Sequence, residues 1–170
     1  MSRVAGIDPG LSGAVALLDD EGMKPLQVWD MPTVKIMRNS KMKRELNLAE
    51  LAEIIWQLGE GTPVFVERVG AMPGQGVTSM FSFGKSYGAV LGILAAYHHP
   101  VFHVAPQTWK KAVGVRDGGK GASRLRASEL FPSAAGQWSR VKDDGRAEAA
   151  LIAYYGKYHA IPASAIPQKG

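Results

Sequence analysis

Three observations predict an α/β fold built on a mixed five-stranded sheet flanked by helices. Apolar segments of strand length alternate with segments whose apolar residues recur at helical spacing. The first three strand segments follow one another through connections too short for a crossover helix, so they pair as antiparallel neighbours. The fourth and fifth are each preceded by a helical segment long enough to carry the chain back across a sheet face. The expected sheet therefore has three antiparallel strands and then two crossover strands.

Each element has a local reason. Residues 3–8 (RVAGID) read as a buried strand ended by the turn Pro9–Gly10, and residues 13–19 as its partner. Residues 19–22 (DDEG) are a turn, and residues 26–31 (LQVWDM) a third strand. Residues 32–46 show no clear period and read as a long basic loop. Asn47 is an N-cap for a helix over residues 48–58, where Leu48, Leu51, Ile54, Ile55 and Leu58 recur on one side. Residues 63–67 (PVFVE) form a strand ending in a carboxylate, and residues 70–77 are a Gly-rich, flexible connection. A long helix follows from Thr78 to His98, then a fifth strand over residues 100–104. Pro106 suits the first turn of a short helix carrying Trp109, Lys110 and Lys111. Another helix runs from Ala122 to Leu130, stopped by Pro132, and the last from near Asp143 to Tyr155. Residues 1–160 are expected to form a single domain, and residues 161–170 a Pro/Ala-rich tail. Trp29, Trp56, Trp109 and Trp138 are expected in the core. His98, His99 and His103 are expected to be structural or surface residues, since adjacent or alternating positions point apart.

Composition excludes several function classes. The chain has 170 residues and no cysteine, so disulfides, thiolate zinc sites, iron–sulfur clusters and cysteine nucleophiles are out. Hydrophobic residues at 46% and charged residues at 21% are globular values, which rules out wholesale disorder. No apolar run reaches membrane-spanning length and no signal peptide is visible, so a cytoplasmic protein without membrane attachment is expected, in a bacterial or phage-infected cell. The net charge of +5 is concentrated. Lys35, Arg38, Lys41, Lys43 and Arg44 fall in a ten-residue window without an acid. Lys110, Lys111, Arg116, Lys120, Arg124 and Arg126 form a second cluster accompanied only by Asp117. Two such clusters in a small chain fit a polyanion-binding surface.

Four acids stand out by position. Asp8 ends the first strand and Glu67 the fourth, and strand ends beside crossovers are where ligand sites form. Asp144 and Glu148 are four residues apart and share a helix face. If that helix packs against both strand ends, four carboxylates converge. Such a cluster is tolerable only if some members are protonated or divalent cations neutralise them. All-oxygen ligation favours Mg²⁺ or Mn²⁺ over zinc. Taken singly, each acid has a plainer role: a turn residue at Asp8, an ion pair at Glu67 or Glu148, helix capping at Asp143 or Asp144.

The segments GIDPGLSGAVALLD, VFVERV, VAPQTWKKAVG and KDDGRAEAALIA, in this order and spacing, resemble the motifs of the RuvC-type Holliday junction resolvases, and especially of their shorter phage-type and poxvirus-like branch. The resemblance covers residues 3–156. It implies an RNase H-like fold, a homodimer, and paired nicking of four-way junction DNA by two divalent cations per active site, Mg²⁺ with Mn²⁺ as the alternative. By the same resemblance Asp8, Glu67, Asp144 and Glu148 are the catalytic metal ligands, and Lys110 and Lys120 lie near the scissile phosphate, where Lys120 would act in catalysis. The last two acids here are four apart where the bacterial branch has three, with Asp143 as a possible substitute for Asp144. Val69 and Gly70 stand where bacterial members carry an aromatic wedge, and Met72 and Phe81 are the nearest bulky residues. DNA contacts are expected from Lys41, Lys43, Arg44, Lys85, Lys110, Lys111, Lys120 and Arg124. The dimer seam is expected on the helix carrying Gly84, Gly88 and Gly92. Three other readings remain open: an RNase H-like nuclease for other branched DNA or RNA, a non-catalytic DNA-binding scaffold, and a single-copy actin- or sugar-kinase-like ATP-binding domain whose GIDPGLSG turn holds phosphate.

Overall fold

A computed structural model describes residues 3–19, 25–116 and 119–160. Part of the turn expected at residues 19–22, Asp117 and the tail at 161–170 lie outside the described residues. The strands are β1 (Val4–Asp8), β2 (Ala14–Leu18), β3 (Pro25–Asp30), β4 (Thr33–Arg38), β5 (Lys41–Leu46), β6 (Val64–Glu67) and β7 (Val101–Val104). The helices are α1 (Leu48–Gln57), α2 (Val77–Ala96), α3 (Pro106–Val113), α4 (Ala122–Leu130) and α5 (Asp144–Tyr155). The main sheet has the order β3-β2-β1-β6-β7. β1, β2 and β3 are antiparallel neighbours, whereas β6 runs parallel to β1 and β7 parallel to β6. This is the mixed five-stranded sheet expected from the sequence.

Alternation along the strands builds two apolar layers. Val4, Ala14, Ala16, Leu18 and Val28 face α5 and the buried Trp109, Phe131 and Trp138. Ala5, Ile7, Val15 and Leu17 face Leu51, Ile54 and Ile55 of α1 and Val90 and Leu94 of α2. Helix α5 is the most deeply packed helix, buried at Ala147 and from Ala149 to Ala153. Its small residues let it lie directly on the backbone of β1. A Cβ added to Gly6 would overlap the Ala149 carbonyl oxygen and the Ala153 nitrogen. A Cβ on Gly145 would overlap the Ser12 carbonyl oxygen in the β1–β2 turn.

Several expectations are corrected. Residues 32–46 are not a loop: β4 and β5 form a separate two-stranded antiparallel ribbon closed by Asn39 and Ser40, with φ of 50° and 59°. Nearly every ribbon side chain is at least partly exposed, so no apolar alternation marks the strands. Trp56 is 69% exposed, because α1 turns Leu51, Ile54 and Ile55 inward and Trp56 outward, and Trp29 on β3 is only partly buried. Trp109 and Trp138 are in the core as expected. The long helix ends at Ala96, so His98 lies beyond it at φ 57°. His99 is buried, its Nδ1 3.0 Å from the Thr62 carbonyl oxygen. Pro132 opens a 3₁₀ segment, Pro132–Trp138, after α4 has ended at Leu130.

Because the atoms facing Gly6 belong to backbone, nothing there can swing aside. Gly6→Val should cost about 3 kcal/mol and lower Tm by about 6–12 °C, read by thermal unfolding. An unchanged Tm would contradict the close packing of α5 on β1.

Candidate metal and nucleic-acid site

The site is built where β1 and β6 end. Their parallel register runs from Ala5 opposite Val64 to Ile7 opposite Val66, which brings Asp8 and Glu67 to the same edge at the next step. Helix α5 starts over that edge, held close by Gly145 against Ser12 and Gly13. Glu148, on its second turn, faces the same point as the two strand-end acids. Burial pushes the Asp8 carboxyl up to about 7, and the charges of Glu148 and Glu67 push the same way. The Gly10 N–H donates to Asp8 Oδ1 at 3.2 Å and opposes that rise. The Glu67 carboxyl is also raised, first by burial and then by Glu148, against the lowering effect of its hydrogen bond from Trp109.

Three neighbours hold these acids in place. Trp109 Nε1 donates to Glu67 Oε2 at 2.7 Å. Ser123 Oγ donates to Glu148 Oε1 at 3.1 Å. The Lys110 ammonium is 3.4 Å from Glu148 Oε1 and 5.3 Å from the centre of the Trp109 ring, and its charge lowers both Asp8 and Glu67. Asp144 sits at the rim of the same cavity, its Oδ1 2.7 Å from Arg124 Nε. Asp143 is committed elsewhere. Its carboxylate accepts from the backbone N–H and side chain of Arg140 at 2.9–3.0 Å, and this pairing holds its pKa below the usual carboxylate range. Of the two acids at the helix start, Asp144 is therefore the one that faces the cavity.

The cavity beside these acids has a volume of about 330 Å³, with Lys110, Arg116, Lys120, Ser123, Asp144 and Glu148 in its wall. A second hollow of about 590 Å³ shares Arg116 and Lys120 with it and adds Arg124 and Arg126. The structure thus gathers Lys110, Lys120 and Arg124 at the acidic centre, and adds Arg116. Lys111 is exposed on α3 and lines neither hollow. Lys41, Lys43 and Arg44 belong to the β4–β5 ribbon, where Arg44 Nη2 donates to Ser12 Oγ at 2.9 Å. Lys85 pairs with Glu45 of the ribbon at 3.5 Å and is not drawn to the carboxylates. Met72 and Phe81 are 67% and 74% exposed, beyond the end of β6. Sequence reasoning missed Trp109 and Ser123 as partners of the acids. The signal for Trp109 was chemical: a core tryptophan must place its N–H on an acceptor.

Among the described residues no three Asp, Glu or His side chains close into a finished ligand cage. The donor chemistry nonetheless fits a hard divalent cation. Asp8, Glu67 and Glu148 offer only carboxylate oxygens, and the Lys110 ammonium stands beside Glu148 as a cationic stand-in.

No family model matches the chain. It is 30% identical over 155 residues to the chloroplastic Holliday junction resolvase MOC1 of Chlamydomonas reinhardtii, a match covering 79% of this chain. The chain spans only 18% of that relative's length. Among solved structures, T. thermophilus RuvC in complex with a Holliday junction substrate superposes with a TM-score of 0.61 at 20% identity, covering 92% of this chain and 96% of that one. Thermus thermophilus RuvC also matches, with a TM-score of 0.51 at 19% identity over 91% and 95% of the two chains. The chain has the RNase H-like fold of RuvC, in agreement with the resemblance carried by its motifs. Among the described residues no helix is long and apolar enough to cross a membrane.

Asp8 titrates near 7 in the folded protein and near 3.8 when unfolded, so the folded state holds an extra proton between those values. The stability this contributes is full at low pH and is lost as pH rises through 7. In EDTA, Asp8→Asn should therefore match the wild-type Tm at pH 4 and exceed it by about 5 °C or more at pH 8. Equal gaps at both pH values would show that Asp8 is not held in a crowded, poorly solvated site.

Proposed function

We propose that the chain is a metal-dependent endonuclease that resolves four-way DNA junctions by paired nicks. The observation that carries this reading is the meeting of Asp8, Glu67 and Glu148 at one sheet edge, beside a cavity walled by Lys110, Arg116 and Lys120. A pure DNA binder gains nothing from like charges crowded together beneath a basic rim. The fold likeness to RuvC and the sequence likeness to a junction resolvase support the same reading.

Mg²⁺ or Mn²⁺, two per site, would supply Lewis-acid charge at the phosphate and lower the pKa of the attacking water. In this reading Asp8, whose carboxyl feels both other acids, would help hold both ions. Glu67 would hold one of them, in an orientation fixed by Trp109. Glu148 and Asp144 would hold the other, with Ser123 fixing Glu148. Lys110 and Lys120 would grip the phosphate as point charges, and Lys120 would neutralise charge that grows on its non-bridging oxygens as the strand breaks. Arg116 and Arg124 would extend the grip along the neighbouring hollow.

Two opposed nicks require two centres, and a homodimer supplies them. The proposed seam is α2. Gly84, Gly88 and Gly92 are exposed, and a Cβ on any of them would meet nothing within 4 Å. Val77 and Phe81 continue the exposed side of the same helix at 83% and 74% exposure. Smooth glycine edges let helix backbones approach closely.

Cleavage of labelled four-way, forked and duplex DNA with Mg²⁺ tests the reading. Asp8→Asn should cut the four-way junction at least about a thousandfold more slowly while still binding it in Ca²⁺. Cleavage within tenfold of wild type would refute the assignment. Light scattering should give twice the 18.2 kDa chain mass for wild type and a single chain mass for Gly88→Glu. A wild-type monomer at micromolar concentration would rule out the α2 seam.

A further inference from the structure

The β4–β5 ribbon stands outside the five-stranded sheet and pairs with no strand of it. Both residues of its turn, Asn39 and Ser40, have positive φ, the type I′ geometry of a tight, twisted hairpin. The register sets Lys35 opposite Arg44 and Met37 opposite Met42, so these four side chains share one face. The two faces are anchored differently. On one, Glu45 binds Arg38 at 3.2 Å and Lys85 of α2 at 3.5 Å. On the other, Arg44 reaches Ser12, in the turn that follows Asp8. Two residues farther out, about 7 Å along the strands, Met42 and Met37 are 57% and 67% exposed. Among the described residues no carboxylate forms an ion pair with Lys35, Lys41 or Lys43.

A single exposed methionine is ordinary. A cross-strand pair at the tip of a basic ribbon is a mixed surface, with Lys35 and Arg44 on the same face and Lys41 and Lys43 on the opposite one. Its partner must offer flat apolar area bordered by negative charge. Nucleic acid does so only where bases have left their stack, since a closed duplex hides the base faces. Methionine is unbranched and polarizable, and it is one of the side chains that wedge between base steps.

We propose that Met37 and Met42 insert as a pair against unstacked bases at the branch point of DNA held at the Asp8 site, while Lys35 on their face and Lys41 and Lys43 on the ribbon's opposite face grip the flanking phosphates. This inference rests on the junction-cleavage reading above and adds to it the element that opens the branch point. Arg44 ties the ribbon to the site: it lies on the methionine face, and its guanidinium bonds Ser12 in the turn that follows Asp8.

The test is a four-way junction carrying 2-aminopurine beside the branch, held in Ca²⁺ at saturating protein so that the signal does not depend on affinity. Wild type should raise the fluorescence, and a probe placed far out along an arm should stay unchanged. Met37→Ser with Met42→Ser should cut the rise at least fivefold, while Met37→Leu with Met42→Leu should restore most of it. Both double variants should keep the wild-type Tm. An undiminished rise in the serine variant, or no rise with a wild-type chain that binds and cuts the junction, would overturn the wedge alone. A wild-type chain that neither binds nor cuts four-way DNA would overturn the cleavage reading and the wedge with it.

Discussion

Three carboxylates held close together, largely shielded from water, dominate the energetics of this fold. Burial holds the Asp8 and Glu67 carboxyls above their usual range, and the charge of Glu148 pushes both further the same way. Such an arrangement opposes folding unless other groups hold it. The holding groups are specific: the Gly10 N–H on Asp8, the Trp109 indole on Glu67, the Ser123 hydroxyl and Lys110 ammonium on Glu148. The closeness itself depends on absent atoms. Gly6 and Gly145 let α5 lie against β1 and its turn, and a Cβ on Gly13 would overlap the Asp8 backbone. A side chain at Gly6 or Gly145 would lift the helix and separate its acids from the strand ends, and one at Gly13 would push the turn away from Asp8.

The remaining charges sort by what they touch. Asp143 is spent on Arg140, and Glu45 on Arg38 and Lys85, so these acids stabilise local structure. Arg146 is spent on Asp30 and on the carbonyls of Val28 and Gln137, pinning α5 to β3 and to the 3₁₀ segment. Lys110, Arg116, Lys120 and Arg124 instead surround the acidic centre. An acidic core within a basic rim suits a surface that must draw in a polyanion and keep a place for cations at its centre. The pairing of Arg124 with Asp144 shows that the rim and the centre already interact.

Much of this was legible in the residues because the central strands β1, β2 and β6 are buried on both faces. Apolar strands such as VAGID and VFVE have no alternative to the core, and their terminal acids mark where they stop. The ribbon was illegible for the opposite reason. Its side chains face water on both sides, so nothing forced an alternating pattern, and Asn39–Ser40 is a weaker turn signal than Asn–Gly. Trp56 misled because size suggests burial, yet α1 packs through Leu51, Ile54 and Ile55 and carries the indole outward. Choosing between Asp143 and Asp144 required geometry. Adjacent helix-start acids look alike until Arg140 is seen holding one of them.

The central claim is that a divalent cation binds where β1, β6 and α5 meet. Replacing it with Fe²⁺ and generating hydroxyl radicals in place would cut the polypeptide nearest the bound ion. The account predicts scission beside Asp8, Glu67 and the stretch from Asp144 to Glu148, suppressed by excess Mg²⁺. Fragments arising from other regions, or a pattern indifferent to Mg²⁺, would contradict it.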